Sequence, residues 1–138
     1  MAGDWVSYNK DFNPQYVRVT GVSENGGFIQ TEETDAYYVK SVYKPVPLTP
    51  EILEKNGFKL NKMESELHKV CGVKLLAYDF PTVLGNHFFI EYNTEKKRAY
   101  LTDHCFISIM YVHGLQHLLR LMERKAPEVK EIADNFTV

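Results

Sequence analysis

Two histidines four residues apart, His113 and His117, lie in YVHGLQHLLRLM, the stretch from Tyr111 to Met122. On a helix that spacing puts both imidazoles on one face, one turn apart, where they can share a Zn²⁺. Zinc proteases with this pair carry a glutamate directly after the first histidine as general base. Here that position is Gly114, and Gln116 has no basic carboxylate to offer in its place. A metal would also need a third ligand. His68, His87, Asp103, His104, Cys71 and Cys105 are the candidates, and none has a diagnostic spacing to the pair. The favoured reading of Tyr111 to Lys125 is a packing helix. Val112, Leu115, Leu119 and Met122 form its apolar stripe, widened by Leu118. His113 and His117 border the core and hydrogen-bond to neighbouring strands, and Gln116 and Arg120 carry that flank outward. Metal binding by His113 and His117 is the alternative. Gly114 costs about 1 kcal/mol against alanine in mid-helix, which predicts close backbone approach or a later helix start.

Other reactive types are scattered. Cys105 stands beside His104, but neighbours on a strand point to opposite faces and do not form a dyad with each other. It reads as a buried structural thiol. Lys96, Lys97 and Arg98 make a basic hairpin tip between Tyr92 and Tyr100. That tip would suit a phosphate backbone; a solubilising turn partly neutralised by Glu95 is the preferred account. Glu32, Glu33 and Asp35 form an acidic loop near Tyr37 and Tyr38, read as solvated, with a cation or basic peptide as the functional alternative. Gly26-Gly27 is a turn without the rest of a phosphate-binding pattern. No serine sits in a nucleophile-elbow context. No catalytic residue and no cofactor is expected.

The elements that must position these residues begin with short strands. Trp5–Tyr8, Tyr16–Thr20, Phe28–Thr31 and Tyr37–Lys40 alternate or are β-prone, with turns at Asn13-Pro14 and Asn25-Gly26-Gly27. Val17 and Val19 are expected to face one core. Val42–Leu48, broken by Pro45 and Pro47, is an edge strand or extended segment, which leaves a homodimer open. In PLTPEILEKNGF, Thr49 caps, Pro50 opens and Asn56-Gly57 closes a helix of about two turns, with Phe58 folding back on Leu53. Residues 59–69 are polar and ambiguous. Leu75–Phe80 and His87–Tyr92 read as strands, the latter with Phe88, Ile90 and Tyr92 on one face; a hairpin turn and Arg98–Thr102 follow. Pro127 opens a last helix with Val129, Ile132, Ala133 and Phe136 on one stripe.

At 138 residues, 44% hydrophobic, 25% charged and net charge −2, the composition is that of one ordinary globular domain or two small lobes. It marks no general nucleic-acid or membrane-surface binder. MAGDWVSYNK has no apolar signal-peptide core, and no run approaches the roughly 18 apolar residues of a membrane span. A soluble, cytoplasmic protein with reduced thiols is expected.

Three pieces together resemble a known family: the opening G-D-W-V, PLTPEILEKNGF, and the Y-V-H-x-L-Q-H core of YVHGLQHLLRLM. They look like a widespread set of small bacterial proteins often encoded in phages or mobile elements, many with Glu at the position of Gly114. The resemblance spans most of the chain. It implies a mobile-element accessory protein and carries no activity with it.

The expected fold is α+β. An SH3-like small barrel or bent sheet fills residues 1–48, a linking helix 49–58, and an α+β lobe with a β-hairpin and C-terminal helices 59–138, packed as one unit. The expected function is non-enzymatic binding of a protein partner. Tyr8, Tyr37 and Tyr38 would line an aromatic groove, with Trp5 more suited to the core. Lys96, Lys97 and Arg98 are the residues a nucleic-acid reading would use.

Overall fold

The computed structural model describes residues 2–10, 13–80, 89–101, 104–122 and 128–138, with every side chain except those of 35, 89, 104–106 and 128–130. Among these residues the architecture is α+β, with two five-stranded antiparallel sheets and four α-helices. The chain divides into two compact units, Met1–Val46 with Val138 and Pro47–Thr137. No helix of the described residues is long and apolar enough to cross a membrane.

The first unit is a meander with a returning edge. Strands β1 (Trp5–Lys10), β2 (Asn13–Val22), β3 (Phe28–Thr31), β4 (Thr34–Val39) and β5 (Lys44–Pro45) run in spatial order β4-β3-β2-β1-β5. The sheet is open at β4 and β5, so it is not the closed barrel that was one form of the expectation. The acidic loop is shorter than its sequence suggests, because Thr34 and Asp35 already belong to β4. Gly26, at φ 72°, gives the turn before β3 the left-handed backbone that an L side chain resists. Val6 opposes Val17 and Tyr8 opposes Gln15 across β1 and β2. Ile29 opposes Tyr38 across β3 and β4. Val17, Val19, Ile29 and Val46 are buried, a small β-branched core that suits a pleated face.

In the second unit, α1 (Pro50–Lys55) is built as the sequence predicts. Thr49 Oγ1 accepts the Ile52 N–H at 3.3 Å, and Pro50 takes the first turn. The helix ends in paired bonds, Phe58 N–H to Leu53 C=O and Gly57 N–H to Glu54 C=O, both 3.1 Å, with Gly57 at φ 85°. That closure brings Phe58 back beside Leu53, and both are fully buried. Phe58 also tilts against Phe80 at 5.2 Å. The helix belongs to the second unit, so the division falls at 46/47. The Asn56 amide accepts the Thr137 N–H and donates to the Thr137 C=O, each at 2.8 Å, across 81 positions of sequence.

The polar segment after Phe58 is a short strand and a helix, β6 (Lys59–Leu60) and α2 (Lys62–Val70). Asn61 caps α2 by accepting the Glu64 N–H at 3.1 Å. Strands β7 (Leu75–Asp79), β8 (Phe89–Asn93), β9 (Arg98–Leu101) and β10 (His104–Ile109) complete the sheet in order β10-β9-β8-β7-β6. Ile90 and Tyr92 share the buried face as expected, while His87 and Phe88 lie outside the described residues. Helices α3 (Val112–Met122) and α4 (Glu128–Asp134) pack together. Val112, Leu115 and Leu119 form the buried stripe of α3. Gln116 is a correction: it does not point outward but is 1% exposed and donates through Nε2 to the Ala133 C=O of α4 at 3.4 Å. A lone amide becomes tolerable inside when a helix carbonyl receives it. Ala133 and Phe136 anchor the other side, and both are buried.

Candidate binding site

The aromatic residues of the first unit are sorted by the pleat. Successive side chains of a strand face opposite ways. Tyr8 has the parity of Val6, and Tyr38 opposes Ile29, so both stand on the face that carries the valine core. Trp5 opposes Arg18 on the other face, where the guanidinium lies 5.1 Å over the indole. Tyr37 neighbours Tyr38 and turns away from it. A Cβ placed on Gly21 would meet the Tyr37 hydroxyl at 2.9 Å, so the bare glycine leaves room for that ring. The four aromatics therefore divide into two pairs. Trp5 is half-buried beneath Arg18 rather than in the core.

Tyr8 and Tyr38 join Thr31, Glu33, Thr34, Val42 and Tyr43 around a pocket of about 280 Å³. Tyr43 enters from the 3₁₀ turn Lys40–Val42, which it follows, and meets Tyr8 edge-on at 6.0 Å and 80°. The Tyr8 hydroxyl donates to Glu33 Oε2 at 2.6 Å, a charge-assisted bond. That bond, more than burial, holds the Tyr8 phenol above its ordinary pKa. The pocket thus offers three phenol rings, one carboxylate and two threonine hydroxyls. Such a set can hold a cation against aromatic faces, or stack and hydrogen-bond a polyol. Glu33 belongs to the acidic loop whose functional alternative is a cation or basic peptide, and the structure sets it beside Tyr38, whereas nothing in the sequence assigns Tyr43 to a groove. The available signal for Tyr43 was its place in the Val42–Leu48 edge segment.

The other candidates are placed as follows. His113 and His117 are half-buried on α3, with ring centroids 5.8 Å apart, and Tyr111 stacks on His113 at 5.7 Å. No group of three or more His, Cys, Asp or Glu suited to a metal is formed among the described residues. Of the third-ligand candidates, His87 and Asp103 lie outside the described residues, as do the side chains of His104 and Cys105. Cys71 is exposed at the end of α2. His68 Nε2 lies 3.6 Å from Glu91 Oε1. Gly114 sits in the first turn of α3. A Cβ there would meet Ile109 Cγ2 at an ordinary 3.6 Å, so no close approach requires the glycine. The hairpin tip is split. Lys96 and Lys97 are exposed in the turn, with Lys97 at φ 52°, whereas Arg98 starts β9 half-buried.

No protein-family model matches the chain, and no solved structure does. Among curated proteins it is similar to Jacalin-related lectin 40 of Arabidopsis thaliana, at 33% identity over 100 residues. That match covers 69% of this chain and 22% of the lectin, so the chain spans about a fifth of that relative's length.

Proposed function

We propose that the protein is a non-enzymatic binding module of SH3-like design, a cytoplasmic accessory protein of a phage or mobile element. In this reading its tyrosine-walled pocket holds a basic side chain of a protein partner. The observation that carries it is the Tyr8–Glu33 bond inside a pocket walled by Tyr38 and Tyr43. An arginine or lysine entering there meets a carboxylate and phenol faces together, the combination that attracts cations most strongly at a partly desolvated surface. Tyr38 is 48% exposed and so can add contact area at small cost in side-chain ordering.

The test is capture of partners from host lysate by the full chain and by Tyr8→Ala/Tyr38→Ala, read by mass spectrometry and followed by affinity measurement on the purified partner. The double variant is expected to fold and to bind at least tenfold more weakly. Equal affinity would remove the pocket from the function. The similarity to a lectin favours a second reading, in which the same rings stack on a sugar and Glu33, Thr31 and Thr34 receive its hydroxyls. Saturable binding on a glycan array, lost in the same double variant, would move the function to carbohydrate.

A further inference from the structure

The second unit contains a larger groove, of about 630 Å³, that the proposed function does not use. Helix α2 is one wall. Leu60, Val73, Leu75 and Leu76 make the apolar surface. Lys62 and Lys69 stand on the helix wall and Lys74 stands just before β7; Glu66 is the acidic side chain among them. All three lysines are exposed. The rim is therefore positive by three charges against one, around an apolar centre.

The backbone adds a second constraint. Among the described residues β6 is the outermost strand and pairs only with Tyr78 and Asp79 of β7. Beyond it, the Asn61 N–H donates to the Ala77 C=O at 2.8 Å, and the Ala77 N–H donates to Ser65 Oγ at 3.0 Å. Both peptide groups of Ala77 thus turn toward α2. Along an antiparallel strand the same orientation returns two residues on, which turns the N–H and C=O of Leu75 into the groove. The intervening register agrees, since the Lys74 C=O accepts from Thr94 on the β8 side at 3.2 Å.

We propose that this groove binds an extended acidic segment of a partner protein. The segment pairs its backbone with Leu75, rests alternate apolar side chains on Leu60 and Leu76, and sets carboxylates against Lys62, Lys69 and Lys74. The positive rim repels a basic peptide. The strand edge offered by Leu75 recognises polypeptide backbone, which a nucleic acid lacks. Adding a strand to a sheet edge, with pockets for alternate side chains, is an established mode of peptide capture. This site is independent of the pocket in the first unit.

The test is selection of a displayed library of random nonapeptides on the full-length protein, followed by affinity measurement on synthetic copies of the winners. Enriched peptides are expected to alternate apolar residues with Asp or Glu and to bind more weakly as salt rises. Lys69→Glu/Lys74→Glu is expected to weaken them at least tenfold and to prefer copies whose acids are replaced by lysine. Should that variant not fold, Lys62→Glu reads the same rim from the first turn of α2. Tyr8→Ala is expected to leave these peptides unaffected, which separates this site from the other pocket. The proposal is overturned if no peptide, or only basic peptides, are enriched, or if binding survives the lysine changes. It is also overturned if binding depends on Tyr8 or is displaced more readily by a short oligonucleotide. Self-association of the free protein that the lysine changes abolish would assign the groove to a second copy and likewise overturn it.

Discussion

The most buried tyrosines all lie in the second unit, and the most exposed all lie in the first. In the first, Tyr16, Tyr37 and Tyr38 are exposed, Tyr8 and Tyr43 half-buried, and a few β-branched side chains form the core. In the second, Tyr78 and Tyr92 are inside, among leucines, phenylalanines and Ile90, while Tyr100 and Tyr111 are half-buried. The pKa values register the difference. Tyr8 is raised by a bonded carboxylate at the surface. Tyr78 is raised to about 12, first by burial and then by the charges of Glu54 and Glu51. A phenol on a rim offers its face and hydroxyl to a partner. A phenol in a core has its face covered by packing, so pocket chemistry should be sought where tyrosines are left out.

The sharpest test of this contrast is truncation. Phe58→Ala is expected to cost about 3–5 kcal/mol in urea unfolding, as a fully buried ring does. Tyr38→Ala is expected to cost under about 1 kcal/mol, as an exposed side chain does. Equal costs would break the comparison.

Alkaline pH provides the next test. A phenol whose folded pKa is raised favours the protonated folded state. Its contribution is complete below the unfolded value of 10 and is lost as pH rises through about 12. Stability measured across that window should fall, and Tyr78→Phe should flatten the fall. An unchanged slope in the variant would mean that Tyr78 is not the titrating group.

A smaller gain is expected from Gly114→Ala. The space is there, and alanine should raise stability by about 0.5 kcal/mol, less than the mid-helix difference because Gly114 lies in the first turn. A lower melting temperature would show that the glycine serves a contact not captured by its surroundings. The smallest effect is spectroscopic. Glu33→Gln should return the Tyr8 phenol toward its ordinary pKa in an ultraviolet titration and leave the melting temperature unchanged. No movement would remove the bond from the pocket's electrostatics.

Much of the scaffold could be read in advance where local chemistry and tertiary packing agree. PLTPEILEKNGF states its own cap, first turn and closure, and the structure repeats them residue by residue. Val17 and Val19 announced a buried face by alternation. Residues 59–69 stay ambiguous in the sequence because the apolar residues of α2 give no burial signal: Met63, Leu67 and Val70 are exposed, and Asn61, the cap, is the sign that resolves it. Gln116 was misplaced because polarity alone sends an amide outward, while its partner, a carbonyl 17 residues on, belongs to another helix. The pocket was half legible. Period-two alternation already separates Tyr37 from Tyr38, but the meeting of Tyr8 with Glu33, 25 positions apart, depends on sheet order.

The Asn56 amide bridges the two ends of the second unit. By exchanging two bonds with the Thr137 peptide, it imitates a strand neighbour with a single side chain and ties α1 to the far end of the second unit. The segment between is closed into a ring without a covalent link. Stretched between residues 47 and 137 in a force experiment, the unit should load that amide before any sheet ladder, and Asn56→Ala should lower the first rupture force while leaving the later ones in place.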